Sequence, residues 1–133
     1  YGNRIDMTGG GNGVVLIQQN RGSGTYGPWV TTDNHIHDNV IVDHDSTGKI
    51  GGVADYNWPG MANGGNAWTK NDYFMPDAGD RFWWAGPNGA ALLGGHFKDF
   101  QAASGESGTI SQAYPSTEDW LDLSIYKNLL PRR

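Results

Sequence analysis

His35 and His37 stand two residues apart, with Asp38, Asp43, His44 and Asp45 close behind. Residues i and i+2 of a strand share a face, so the two imidazoles would lie side by side, placed to hold a substrate or a metal or to act as a general base. An outward-facing polar pair is the competing reading, because no third ligand follows at a diagnostic spacing. Asp43-x-Asp45-x-Thr47-Gly48 matches the opening of a calcium loop, with oxygen side chains at alternate positions and Gly at the bend. Its closing Glu is missing: position 54 is Ala, and Asp55 falls one residue late. An Asp-rich turn therefore competes with a calcium site built on Asp43 and Asp45. Asp33, Asp38, Asp43, Asp45 and Asp55 supply enough carboxylates for a glycosidase pair, which needs ~5–10 Å of separation. β-Elimination on a uronate would need a base and a cation beside the acid, and Arg4, Arg21, Lys49, Lys70 and Arg81 are the cations on offer.

The aromatic residues are the stronger clue. Trp29, Tyr56, Trp58, Trp68, Tyr73, Phe74, Phe82, Trp83 and Trp84 outnumber what a few thin layers of strand need, and flat rings beside Asp and Asn are the composition of a sugar-stacking groove. Packing is the alternative for Trp68, Phe74 and Phe82, which could plug an open end of the core, and for Trp83-Trp84. Tyr56-Asn57-Trp58-Pro59-Gly60 reads as an exposed loop, where packing explains an aromatic less well. The candidate substrate-binding set is thus Trp29, His35, His37, Asp55, Tyr56 and Trp58. No phosphate cradle is present, since the glycines at 9 to 13 lack the Lys-Ser/Thr of a P-loop, and Gly22-Ser23-Gly24 is too short for a nucleophile elbow.

These residues sit in a chain of 133 residues, the size of a single domain. Hydrophobic residues make up 37% and charged residues 17%, both below the usual ~45–50% and ~25%, and 21 glycines mark a turn-rich chain. Six Trp, six Tyr and four Phe supply what a disordered polar segment lacks. With no cysteine, disulfides, Cys-based zinc sites and thiol catalysis are excluded. Nine Lys and Arg against 14 Asp and Glu, with no basic stripe, argue against nucleic acid as a partner. No apolar run approaches the ~20 residues of a membrane span.

Three segments share one rhythm. Val14-Val15-Leu16-Ile17-Gln18-Gln19-Asn20, His35-Ile36-His37-Asp38-Asn39-Val40-Ile41-Val42 and Ala67-Trp68-Thr69-Lys70-Asn71-Asp72-Tyr73-Phe74 are short β-branched or aromatic runs around an Asn. Asn3-x-Ile5, Asn39-x-Ile41 and Asn71-x-Tyr73 put an apolar residue on the strand face of the Asn. Between the runs lie Gly- and Asn-rich turns. An internal Asn breaks the alternation of a sandwich strand, whereas a stacked parallel coil accommodates it by hydrogen-bonding Asn to Asn in a ladder. Further on, Phe97 to Ala103 has helical spacing and ends at Ser104-Gly105, a C-cap signal. Ser116-Thr117-Glu118-Asp119 opens a second amphipathic stretch, to about Leu129, halted by Pro131.

The phrase Asn34-His35-Ile36-His37-Asp38-Asn39-Val40-Ile41 resembles the coils of secreted right-handed parallel β-helix proteins of the pectate-lyase-like, β-helix-repeat kind. Gly13 to Asn20, Gly27-Pro28-Trp29, Gly51-Gly52-Val53-Ala54-Asp55, Gly65-Asn66-Ala67-Trp68 and Asn71-Asp72-Tyr73 look like further coils. Arg81-Phe82-Trp83-Trp84, followed by Phe97 to Glu106, is similar to the phrase that often closes such domains. The resemblance covers roughly the first 110 residues. It implies an all-β, right-handed parallel β-helix (solenoid) over 1–86 with a short helical C-terminal cap over 87–133, a secreted, extracellular location, and polysaccharide or glycan as ligand. It does not name a reaction, because lyases, epimerases, glycosidases and adhesins share that scaffold. A structural or adhesive module is the alternative function, and an antiparallel β-sandwich the alternative fold. The solenoid reading places Ile17, Ile36, Val40, Val53, Trp68 and Phe74 inside. Because Tyr1-Gly2-Asn3-Arg4-Ile5 reads as the interior of a coil, it also calls for additional polypeptide at that end, or a homo-oligomer.

Overall fold

The β-branched and aromatic runs form strands, and the Gly- and Asn-rich stretches between them keep every strand among the described residues to five residues or fewer. The computed structural model describes residues 1–45, 47–55, 64–77, 79, 81–85, 91–92 and 96–114. In chain order its elements are β1 (Arg4–Met7), β2 (Val14–Gln18), β3 (Ser23–Gly24), β4 (Gly27–Pro28), β5 (His35–His37), β6 (Val40–Asp43), β7 (Gly51–Asp55), β8 (Ala67–Thr69), β9 (Asp72–Phe74), β10 (Phe82–Ala85), β11 (Ala91–Leu92), α1 (Phe97–Ser104) and β12 (Thr109–Ser111). Among the described residues no helix is long and apolar enough to cross a membrane.

The expected β-helix solenoid with a short helical cap is corrected by this arrangement. The strands fall into small separate sheets, of four (β1-β6-β9-β12), four (β11-β10-β7-β2), two (β3-β4) and two strands (β5-β8), and the β3–β4 and β10–β11 pairs are antiparallel. The physical reason lies in the connections: the chain folds β4 back on β3 and β11 back on β10 in antiparallel pairs, and the glycine loops divide the remaining strands among separate sheets. An antiparallel sandwich fails as well, because Val40 pairs in parallel with both Arg4 and Asp72. The amphipathic stretch from about Thr117 to Leu129 lies outside the described residues.

The parallel registers stack like on like. Ile5, Ile41, Tyr73 and Ile110 form one row across the first sheet, and Ile36 stands opposite Trp68 in another. Leu16 stands opposite Val53 in the second four-stranded sheet. All of these belong to one core, either buried or packed against it. Phe97 and Phe100 of α1 close over the core, with Phe100 stacked on Phe82 at 4.6 Å and edge-on to Trp68 at 5.9 Å. The helix stops at Gly105, which takes a left-handed conformation (φ 81°) and returns its N–H to the Gln101 carbonyl. Of the residues expected inside, Val53 and Trp68 are buried, Ile36, Val40 and Phe74 are half-buried, and Ile17 is 38% exposed. Ile17 faces outward because Leu16 takes the inward position of β2.

A polar spine accompanies the first sheet. Asn3 donates its backbone and side-chain N–H to Asn39 Oδ1, each at 3.0 Å. Asn39 repeats this on Asn71 Oδ1, at 3.0 and 2.8 Å. Asn71 then donates its backbone N–H to one oxygen of Glu106 (3.1 Å) and its amide to the other (2.7 Å). The residue before each rung has a positive φ: Gly2 at 65°, Asp38 at 53°, Lys70 at 57° and Gly105 at 81°. That left-handed step swings the backbone N–H and the side chain of the next residue toward the same acceptor. Two of the four positions manage it with glycine at no steric cost, and Asp tolerates it through its short polar side chain. Lys70 does not, and the strain of a long side chain there is ~1–2 kcal/mol. Lys70→Gly is therefore expected to raise the unfolding free energy by about 0.5–1 kcal/mol, net of glycine's greater chain entropy. Urea unfolding reads this directly, and a loss of stability would show that Lys70 makes contacts worth more than its strain.

Candidate functional site

Three places gather side chains with chemical potential. The first is an arm that leaves the end of β2 and returns near Thr31. Its tip is the β3–β4 hairpin, closed by the two-residue turn Thr25-Tyr26. Gln18, almost fully buried, clamps the base. Its amide nitrogen donates to the carbonyls of Gln19 (2.8 Å) and Trp29 (3.2 Å), and its amide oxygen accepts from Thr31 N (2.6 Å). Trp29 N donates to Gly22 O at 3.1 Å. The indole lies over Gly24, where an added Cβ would come within 2.9 Å of its ring nitrogen. Trp29 nonetheless keeps 60% of its surface in solvent, and Tyr26 is fully exposed.

The second place is the surface of β5. The rings of His35 and His37 are 4.8 Å apart and tilted by 47°, and Tyr1 stacks flat on His37 at 4.8 Å. His37 Nδ1 donates to Asp38 Oδ2 at 2.6 Å, and His35 Nε2 shares a hydrogen bond with Thr69 Oγ1 at 3.0 Å across the β5–β8 pair. The His37 hydrogen bond is the main reason the Asp38 carboxyl sits below the usual carboxylate range.

The third is the Asp43–Gly48 turn. Asp43 is fully buried and its carboxylate meets Arg81 Nη2. The rest of that guanidinium donates to the carbonyls of Gly48 (Nε, 3.1 Å), Asp45 (Nη1, 3.1 Å) and Thr47 (Nη2, 2.9 Å). The inward oxygens of the turn are thus spent on an internal cation. Asp45 points elsewhere: its Oδ1 accepts from the Thr47 hydroxyl and N–H, each at 2.6 Å, and these bonds hold its carboxyl below the ordinary value. Among the described residues no cluster of three or more His, Asp or Glu surrounds a common point. The glycine loop packs onto the same turn, with Asn12 Oδ1 accepting from Lys49 N at 2.9 Å. A Cβ on Gly48 would strike the Gly11 carbonyl.

Of the residues singled out from sequence, His35 and His37 come together and Trp29 joins the arm. Tyr56 and Trp58 lie outside the described residues, as does the side chain of Asp55, whose backbone pairs with Gln18 at the end of β7. Trp68, Phe82 and Trp84 are core, while Trp83 is half-buried with Lys49 Nζ 5.9 Å above its ring. Sequence reasoning missed Tyr26, although Gly22-Ser23-Gly24-Thr25-Tyr26-Gly27-Pro28 carries the turn signal of a short hairpin that would expose its central residues. It also missed Arg81 as the partner of Asp43, a pair 38 residues apart that no local spacing reveals. Comparison with family models, with curated proteins and with solved structures finds nothing that matches this chain.

Proposed function

We propose that the chain is a binding module for polysaccharide or glycan of a secreted protein, and that the arm carrying Tyr26 and Trp29 is its contact surface. The observation that carries the reading is the exposure of these two rings on a hairpin whose base is fixed by buried Gln18. The Trp29 indole, seated over Gly24, loses less freedom on burial than a ring without a neighbour would, and a flat ring suits the apolar face of a pyranose. Of the carboxylates singled out from sequence, Asp43 is engaged by Arg81, Asp45 by Thr47 and Asp38 by His37, and degradation assays test whether any carboxylate supports turnover. Thr31 and Thr32 continue from the arm toward β5, so His35 and His37 remain candidates for the flank of the same surface.

A second reading, a structural or adhesive module that assembles with other polypeptide, is favoured by one observation. Among the described residues β1 and β2 are the end strands of their sheets, and Ile5, Val14 and Leu16 on them are only half-buried against the core. An edge strand is a template for pairing with a further strand.

A glycan array with matched degradation assays, followed by sedimentation, separates the readings. The expected result is saturable glycan binding without turnover, weakened about tenfold or more by Trp29→Ala and by Tyr26→Ala, with the unfolding midpoint unchanged. An anchoring aromatic is worth ~2 kcal/mol or more at a contact surface. Unaltered binding in both variants would remove the arm from the site. Silence on the array with concentration-dependent association would favour the assembly reading.

A further inference from the structure

We propose that His35 and His37 form a two-nitrogen chelate for a borderline divalent transition ion of the Zn2+ type, with Asp38 and Thr69 as its orienting partners. The inference rests on β5 and its neighbours and does not use Tyr26 or Trp29 of the arm. β5 places the two imidazoles on one strand face, with ring centres 4.8 Å apart. Two nitrogens bound to one ion at ~2.0–2.1 Å in tetrahedral geometry stand about 3.3 Å apart, so the two side chains must turn toward each other from their present 4.8 Å between ring centres.

The polar partners leave a free nitrogen on each ring. An ionised carboxylate only accepts, so His37 Nδ1 carries the proton of the 2.6 Å bond to Asp38, and Nε2 keeps its lone pair. His35 meets Thr69 Oγ1 through Nε2; with the hydroxyl accepting, Nε2 carries the proton and Nδ1 keeps its lone pair. A histidine ligand whose second nitrogen is bonded to a carboxylate or another oxygen is the arrangement that fixes ring orientation and raises ligand basicity. The cluster lies at the surface, with His35 exposed and His37 half-buried. Water or an exogenous oxygen ligand would complete the coordination, as in open zinc sites. His44 provides a comparison within the same chain. Its Nε2 donates to Asp6 Oδ1 at 2.9 Å and its ring stacks on Tyr114, so it has a carboxylate partner but no second imidazole beside it.

The test is titration of the full chain with Zn2+, followed through the imidazole 1H–15N resonances. The expected result is a saturable one-to-one transition in which His35 and His37 shift together, while His44 and His96 respond only at much higher metal concentration. His35→Gln and His37→Gln should each reduce the response of the remaining imidazole to that of His44. Asp38→Asn should weaken the transition ~10–100-fold, the usual effect of losing such an orienting carboxylate. All three positions are at the surface, and thermal unfolding checks that each variant is folded. Should one fail to fold, the resonance map of the unsubstituted chain still decides. Equal shifts at all four histidines, or Zn2+ binding unchanged in His35→Gln, would overturn the proposal.

Discussion

Asp43→Ala is expected to lower the unfolding free energy by about 3 kcal/mol, the low end of the cost of breaking a buried pair, because Asp77 Oδ2, 3.6 Å from Arg81 Nη1 and partly exposed, stays as a second carboxylate. Arg81 is only 3% exposed and Asp43 is fully buried. The guanidinium holds together three carbonyls of the turn as well as the carboxylate, so it cannot swing out to water without releasing Asp45, Thr47 and Gly48. Against the ~5–15 kcal/mol that holds a typical domain, this is a large fraction, and the melting temperature should fall by ~10 °C or more. The attraction within the pair is a different quantity. A buried ion pair exchanged whole for apolar residues is often neutral, so Asp43→Ala combined with Arg81→Met should recover part of the loss. The three carbonyls would then lack a donor, which keeps the recovery incomplete. A double-mutant cycle in urea gives the coupling. A cost below about 1 kcal/mol for Asp43→Ala would mean that the pair is not formed in solution.

The same pair shows where sequence reading reaches its limit. Asp43-x-Asp45-x-Thr47-Gly48 is legible as an Asp-rich turn or the opening of a calcium loop, and that much is local geometry. Arg81, which meets the Asp43 carboxylate and the turn carbonyls, is brought in by the parallel register of β7 with β10, in which Gly51 faces Phe82. A pattern confined to six residues cannot reveal a guanidinium arriving from so far along the chain. The strands and α1 were legible for the opposite reason: β-branched runs, glycine turns and a Gly105 cap act within a few residues. Inward and outward faces were less so. Strands this short carry too few alternations to fix their own face, and Ile17 was placed inside when the pleat puts Leu16 there. The stacking of Asn3, Asn39 and Asn71 was visible because each is followed, two residues on, by the apolar residue of the same row. What the short runs could not convey was how the strands divide among sheets, since that depends on where each glycine loop returns the chain.

The spine of asparagines makes a second large effect foreseeable, at Glu106. The oxygens of Asn39 and Asn71 each receive two N–H groups from the rung before, so the series has a direction and needs a final residue that only accepts. Glu106 meets that need: one oxygen takes Asn71 N and Gly108 N, and the other takes the Asn71 amide and the Tyr73 hydroxyl at 2.8 Å. Burial, together with the charge of Glu106, pushes the Tyr73 phenol far above its ordinary range, so it remains a donor throughout the working pH range. Glu106→Ala leaves four donors without an acceptor in a buried site, at ~1–3 kcal/mol each before relaxation, and a loss of at least about 4 kcal/mol is expected. Glu106→Gln separates polarity from shape. It fills the same volume, but its NH2 must face either the Asn71 amide or the two backbone N–H groups, and turning Asn71 over only passes the conflict to Asn39. A loss of about 2–3 kcal/mol is expected, against about 1 kcal/mol for Tyr73→Phe, which removes one donor and leaves no orphan. Hydrogen exchange should show reduced protection at the Asn39 amide as well as at Asn71, although Asn39 does not touch Glu106. If Glu106→Gln unfolds in urea within about 0.5 kcal/mol of the parent chain, the direction of the spine is not what selects the carboxylate, and only its size matters.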